Sequence, residues 1–433
     1  MLFKNIAVLD ENLQLLENMY VGIKDGKIDY IGKEVPEDTY DYIYGSEIYD
    51  GRGKLLMSGF YNTHAHSPMT LMRGYGEGLS LQDWLNKRIF PFEDHLYSDA
   101  VYWGTMLSIA ESLRSGIVST TDMYYFCPDM AKAAFDSGAK MNISRSVVHF
   151  DDSDPYQSVR FKEMRDFVRD YHMTAMGRVR ADMAVHAEYT NTARSIQVGA
   201  EMAKEAGVRM QVHLSETKNE HEACKERHGK TPAALMRDLG LFDVPTTAAH
   251  CVWLEDEDFD ILAEKGVYVS SCPASNMKLA SGIANIPEML KRGVKVTLGT
   301  DSVSSNNSLN YFEEMKLLAL AAKVRNLDPT ALTTDEVLYM ATRQGALSQG
   351  RDDCGAVAVG NKADLIVIDL DQPNMQPIHD IKSNLIYSAS DRNVVLTMVD
   401  GKVLYKDGQF TTIDIEKTTV ETVNAVNKIL GEL

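Results

Sequence analysis

The chain has 433 residues and a formal net charge of −18, long enough for one large domain with an appendage. That acidic balance argues against a nucleic-acid surface, which needs clustered Lys and Arg. Its N-terminus, MLFKNIAVLDENLQ, is too acidic for a signal peptide, and no apolar run approaches the roughly 20 residues of a membrane span.

Five cysteines, Cys127, Cys224, Cys251, Cys272 and Cys354, are scattered and odd in number. They suit a reduced compartment better than a disulfide framework. The expectation is a cytoplasmic protein that meets neither membrane nor nucleic acid, with homo-oligomerisation left open.

MYVGIKDGKIDYIG alternates apolar residues around Asp25-Gly26, a strong hairpin signal. The run KLLMSGFYNTH reads as a strand and leads into GFYNTHAHSPMTLMRG, where His64 and His66 stand one residue apart. Strand side chains alternate faces, so the two imidazoles point the same way and suggest a shared target. A helix is expected from Ser98, capped by that serine. Its apolar stripe would be Val101, Met106, Ile109, Ala110 and Leu113, and Gly116 would end it.

Further strands follow in GIVSTTDMY, KMNISRSVV, VRADMAVHA, VRMQVHLSE, TTAAHCVWL, VYVSSCPAS and KVTLGTDS, with helical patterns between them. Eight alternating units in about 300 residues fit an α/β fold of the (β/α)₈ TIM-barrel type. A doubly wound sheet is the alternative, but no Gly-rich phosphate turn follows the first strand. KADLIVIDLD and the hairpin VVLTMVDGKVLYKDGQF close the chain in the style of its beginning. Residues 1–56 with 355–433 are therefore read as one small β-sandwich domain built from both termini, and 57–354 as the barrel.

A barrel places its chemistry at the C-terminal ends of its strands. Those ends carry His64 and His66, Asp122, Arg145, His186, His213 with Glu216, His250 and Asp301 in turn. Taken singly, a histidine after a strand is usually a hydrogen-bonded structural residue, and an Asp there a turn former or helix cap. Five histidines at four strand ends sharing one mouth are a different matter, because buried polar groups are costly unless bound to something. Three imidazoles and a carboxylate, from His64, His66, His213 and Asp301, make a site suited to one Zn²⁺ and tolerable for Fe²⁺. Such an ion acidifies bound water to a pKa of about 7. Lys140 starts its strand and Lys162 lies in a helical segment, so neither is placed to bridge a second metal.

HAH, VHLSE, AHC and LGTD, in that order, resemble the amidohydrolase superfamily over nearly the whole chain. GFYNTHAHSPMTLMRG, LSLQDWL, FPFED, PASNMKL and LGTDSVSSNNSLN look more narrowly like its 5-methylthioadenosine/S-adenosylhomocysteine deaminases. The resemblance implies metal-dependent deamination of an adenine nucleoside, and it implies His64, His66, His213 and Asp301 as ligands. It makes Glu216 the acid that protonates a ring nitrogen, His250 the partner of the attacking water, and Asp301 the carrier of its proton. Glu93 and His186 match ribose contacts, and Arg145 a basic residue near the 5′ substituent. Trp84 is the tryptophan best placed to line the pocket. Without the family, Glu93 would pass for a surface glutamate and Trp84 equally for rim packing.

The chain departs from the family's pattern at Glu188, where Pro is common, and at Ser271-Cys272, where a His-Asn pair is usual. A second arginine contact has only Arg160 as a loose counterpart. Guanine deaminases and s-triazine chlorohydrolases share much of the pattern, so another heteroaromatic ring is the alternative substrate. A non-catalytic barrel would have shed ligands that are all present, and the cytidine-deaminase type is excluded because no PCxxC occurs.

Overall fold

The computed structural model describes residues 1–34, 47–79 and 81–433. Its centre is a sheet of eight parallel strands in sequence order. They are β1 (Phe60–Ala65), β2 (Ile117–Tyr124), β3 (Lys140–Val147), β4 (Val179–Val185), β5 (Met210–Leu214), β6 (Thr246–His250), β7 (Tyr268–Ser271) and β8 (Lys295–Leu298). Helices separate every successive pair, as parallel crossovers require. All eight residues of β2 are buried, because barrel strands face side chains inside and helices outside.

β1 and β8 close the barrel without a backbone ladder between them among the described residues. The seam is stitched instead by side chains and by one backbone bond at the mouth. Thr63 Oγ1 donates to the Leu298 carbonyl at 2.9 Å. Asn62 exchanges two hydrogen bonds with Thr300, Nδ2 to Oγ1 at 2.7 Å and N–H to Oδ1 at 3.0 Å. Tyr311 Oη sits between the carbonyls of Tyr61 and Leu298, at 2.8 and 2.5 Å. The last stitch is at the mouth, where the Asp301 N–H donates to the His64 carbonyl at 3.0 Å.

The second sheet is mixed and takes strands from both ends of the chain. Its order is Gln409–Phe410, Lys402–Lys406, Val394–Val399, Leu365–Asp369, Lys54–Ser58, Leu2–Leu9, Leu15–Lys24, Lys27–Gly32, with Ile48–Asp50 also on Leu2–Leu9. The single strand expected over 54–64 is thus two, with the first half here and the second in the barrel. Gly59 is the crossing, since a Cβ there would lie 2.3 Å from Val118 Cγ1. Both foreseen hairpins form. Asp25-Gly26 and Asp400-Gly401 each pair two positive φ values, 51° and 77°, then 46° and 74°, the requirement of a type I′ turn. The turns meet tip to tip, with Gly401 so close that a Cβ would lie 2.9 Å from Gly26 Cα.

Two C-terminal helices lie on the barrel. Ile381–Tyr387 receives the Lys323 ammonium on Tyr387 Oη at 2.7 Å, and Ile415–Leu430 packs on the helix Ser98–Arg114. In the helix Ser98–Arg114, which links β1 to β2, Ser98 is the first helical residue and not the cap; Tyr97 holds the extended cap position. Ser98 Oγ donates to Asp129 at 2.6 Å, so its hydroxyl serves a neighbouring helix.

Lys140, at the start of β3, belongs to the end of the barrel opposite the mouth. Its ammonium is buried against Asp364 and, at 2.8 Å, Asp400, and Tyr61 Oη donates to Asp364 at 2.7 Å. Burial opposes both charges, but the carboxylates raise the Lys140 ammonium and Lys140 holds Asp364 below the usual carboxylate range. The cluster pins the terminal sheet to the barrel floor. Lys140→Met strands two carboxylates and should destabilise the fold by about 3–5 kcal/mol, read as a lower urea midpoint.

Candidate active site

The mouth is built by strand ends in uncommon backbone states. Ser215, His250 and Asp301, after or at the ends of β5, β6 and β8, have φ of 48°, 71° and 58°. Left-handed backbone at a non-glycine residue costs about 1–2 kcal/mol and gathers at functional sites. His250 and Asp301 line the cavity at the mouth, while the Ser215 hydroxyl meets His221 Nδ1 at 3.3 Å.

His64 and His66 lie with ring centroids 4.9 Å apart, and His213 is as close to His64. His66 Nδ1–H donates to the Met123 carbonyl at 2.7 Å and His213 Nδ1–H to the His186 carbonyl at 2.9 Å. A carbonyl only accepts, so both rings carry the proton on Nδ1 and turn an Nε2 lone pair into the site. Those two Nε2 atoms are 3.3 Å apart. Asp301 Oδ1 is 3.3 Å from His66 Nε2 and 3.6 Å from His64 Nε2, and the latter atom is buried with no hydrogen-bond partner.

The donor atoms of His64, His66 and Asp301 lie within 4.8 Å of one another, as do those of His64, His213 and His250. Lone pairs converging on one point, held from behind by carbonyls, are the arrangement of an imidazole–carboxylate metal site with its outer shell in place. The donor set fits a divalent ion of borderline softness. Against burial, the hydrogen bond and charge of Asp301 draw the His66 imidazole up to about 9. A field that favours a proton on that lone pair also favours a metal cation competing for it.

Around this cluster is a cavity of about 70 Å³ lined by Trp84, Glu93, His186, Glu216, His250 and Asp301 with His66 and His213. Burial raises the Glu216 carboxyl above its ordinary range, against the charge of His250. Glu216 Oε1 accepts from Ser281 Oγ at 3.3 Å and Oε2 faces His250 Nε2 at 3.8 Å. Glu220 fixes its backbone, accepting the N–H groups of Ser215 and Glu216 at 2.9 and 2.8 Å. Burial lifts Glu93 to about 7, moderated by Tyr124 Oη, which donates to Oε1 at 2.6 Å. His186 is held down at about 4 by burial and by neighbouring His66 and His250, and Nδ1 meets Thr190 Oγ1 at 3.0 Å.

Arg145 is outside this inner cavity. It lines an outer one of about 780 Å³ that shares Phe90, Glu93, Tyr125 and Ser146 with the first. Its guanidinium lies 4.7 Å from the Tyr125 ring centre, and Nε is 2.8 Å from Glu163. Arg160 lines the same outer space and donates to the Val148 carbonyl at 2.8 Å. Two departures from the family pattern lie outside the lining of the inner cavity. Glu188 pairs with Arg227 on the helix Lys218–His228, and Cys272 is a buried cap residue before Pro273–Lys278.

Sequence reasoning missed Tyr124, Ser275, Asn276 and Ser305. Asn276 Oδ1 meets His250 Nδ1 at 2.9 Å, and the two serine hydroxyls donate to Asp301 Oδ2 at 2.6 and 2.9 Å. Asn276 and Ser275 stand in PASN and Ser305 in SSNNS, motifs whose spacing after β7 and β8 carried the signal without naming its targets.

The chain belongs to the amidohydrolase family, whose pattern it matches over residues 55–404. It is 39% identical to the 5′-deoxyadenosine deaminase of Methanosarcina mazei, covering 100% of this chain and 99% of that one. It is 38% identical to the 5-methylthioadenosine/S-adenosylhomocysteine deaminase of Acetivibrio thermocellus, with 99% of each covered. The fold is similar to the zinc-bound crystal structure of a Xanthomonas campestris adenosine deaminase, with a TM-score of 0.91, 29% identity, and 99% and 98% of the chains covered. It also superposes on a zinc complex of atrazine chlorohydrolase from Arthrobacter aurescens, with a TM-score of 0.90 at 24% identity and 98% and 99% coverage. Among the described residues no helix is long and apolar enough to cross a membrane.

Zn²⁺ titrated into metal-free protein is expected to bind one equivalent. His66→Ala or Asp301→Asn should weaken that binding by more than the roughly 10–100-fold that loss of an outer-shell partner brings, measured by competition with a chelator.

Proposed function

We propose that this chain hydrolytically deaminates adenine nucleosides, including those with an altered 5′ position, to the inosine analogue and ammonia. The observation that carries the reading is Glu216. It is a buried carboxyl with a raised pKa, in one cavity with the histidine–aspartate cluster and Glu93. The deaminase relatives support the substrate class, and the zinc-bound neighbour supports Zn²⁺ at His64, His66, His213 and Asp301. When bound, such an ion supplies a nucleophile at neutral pH by acidifying water to a pKa of about 7.

The residues then divide the work. An adenine ring resists attack at the amino-bearing carbon while it stays aromatic and electron-rich. Glu216, whose protonated form burial favours, gives its proton to the adjacent ring nitrogen and removes that obstacle, a step of the general-acid kind that contributes about 10²–10⁴-fold. His250 is held by Asn276 with its proton on Nδ1, so Nε2 is left to accept from the attacking water. Asp301 receives one proton of the water and delivers it to the departing amine, which leaves as ammonia, and the second proton returns to Glu216 as the carbonyl forms.

Glu93 accepts hydrogen bonds from the ribose hydroxyls, with Tyr124 fixing one of its oxygens. His186, neutral through burial, offers Nε2 to the same sugar, and Trp84 covers the base. The 5′ group runs outward past Glu93 into the outer cavity, where Arg145 stands.

The test is ammonia release from adenosine, 5′-deoxyadenosine, 5′-methylthioadenosine, S-adenosylhomocysteine, guanine and a chlorotriazine. Turnover of the adenine nucleosides alone is expected, and none with metal loaded would refute the assignment. Glu93→Ala should raise KM for nucleosides about 10–100-fold, the loss of a hydrogen bond to a charged group. The pH profile has a definite sign. Ribose binding needs the Glu93 carboxylate, so kcat/KM should rise as pH passes about 7. Glu93→Gln should remove the rising limb.

A further inference from the structure

Glu314 is a buried carboxyl to which the proposed chemistry gives no role. It lies in the first turn of the helix Tyr311–Asn326 and forms no ion pair among the described residues. An unpaired buried carboxyl is costly unless hydrogen bonds compensate, and burial pushes this one up to about 8. Its two compensating bonds lead to the same destination. Oε2 accepts the Ala274 N–H at 3.2 Å, and Oε1 accepts Asn306 Nδ2 at 2.6 Å.

Ala274 opens the short helix Pro273–Lys278, and the next two residues are Ser275 and Asn276. Ser275 Oγ donates to Asp301 Oδ2 at 2.6 Å, and Asn276 orients His250. Asn306 also donates to the Thr300 carbonyl at 2.8 Å, and its neighbour Ser305 donates to the same Asp301 Oδ2 at 2.9 Å. Two segments from different crossovers thus place two hydroxyls on one carboxylate oxygen. That leaves Oδ1 turned toward His64 and His66.

We infer that Glu314 is a positioning residue, a buried group that bridges the 273–276 and 300–306 segments from behind and keeps them in register so that Asp301 and His250 meet the site in fixed orientation. This rests on the reading of Asp301 and His250 as working groups. A carboxylate free to swing about its Cβ–Cγ bond would present either oxygen, and small angular errors at such sites are expensive.

The experiment measures Zn²⁺ affinity by chelator competition, and kcat and KM on adenosine, for Glu314→Gln, Asn306→Ala, Ser305→Ala, Ser275→Ala and their pairs. Gln keeps the shape but turns an N–H₂ at one of the two donors. Glu314→Gln should weaken Zn²⁺ binding and lower kcat, each by about 10–100-fold, with KM within about twofold. Asn306→Ala cuts one arm of the bridge, so its effect should be non-additive with Ser305→Ala on the same arm and also with Ser275→Ala on the other, because Glu314 joins them in one hydrogen-bonded network. Wild-type affinity and kcat in Glu314→Gln, or additivity in both pairs, would overturn the inference. If Glu314→Gln does not fold, the Asn306 pairs decide alone. Absence of adenosine turnover in the wild type would instead refute the proposed function, while Zn²⁺ affinity would still report on Glu314.

Discussion

The barrel closes on a hydrogen bond from the Asp301 N–H to the His64 carbonyl, and the rest of the site depends on that closure. The ladder stops between β1 and β8. What spans the gap is a set of side-chain hydrogen bonds from Tyr311, Thr63 and Asn62, with the backbone Asp301–His64 bond at the lip. A seam made of specific side chains fixes register more tightly than a repeating ladder, which can slip by two residues and still bond. Gly299 shows how close the fit is, since a Cβ there would lie 2.9 Å from His64 Cβ. The strands farthest apart in sequence therefore deliver an imidazole and a carboxylate to the same point.

Given that point, burial decides the chemistry of each group. The mouth holds several titratable side chains out of water, where a charge survives only beside its opposite. Asp301, among histidines, is held well below the usual carboxylate range against its own burial. Glu216 and Glu93, with weaker compensation, go the other way. Carboxyls a few residues from one another in space are thus separated into an ionised one at the centre and protonatable ones at the wall. That separation is what allows acid and base roles to coexist near neutral pH.

The strand succession and the polar residues at seven of the eight strand ends were legible in the sequence, because β-branched runs and their punctuation are local signals. The histidine pair was legible for the same reason, its period of two being a property of one strand. Gly59 was not, since the clash that forces the chain to change sheets involves Val118, more than fifty residues on. Ser98 satisfied a capping pattern but found Asp129 in another helix, a tertiary partner outranking a local one. Tyr124 and Glu314 carry no motif; only the closed barrel brings one to Glu93 and the other behind Asp301. Arg145 was placed by resemblance near the 5′ substituent, and its position in the outer cavity follows from β3 pairing Tyr124 with Arg145 across the rim.

The same strand shows how the two ends of a barrel divide their tasks. β3 begins at Lys140, locked among Asp364, Asp400 and Tyr61, and finishes near Arg145 at the mouth. At the floor, the Lys140 ammonium is paired with two carboxylates and joins the barrel to the sheet made from both chain ends. At the mouth, lone pairs on His64, His66 and His213 are left without protein donors and are aimed at a common point. A lysine at that mouth would neutralise the site; placed at the floor, it leaves the imidazoles free to take a cation from solution. The net charge of the chain then works in the same direction, because an acidic protein draws divalent ions toward its surface.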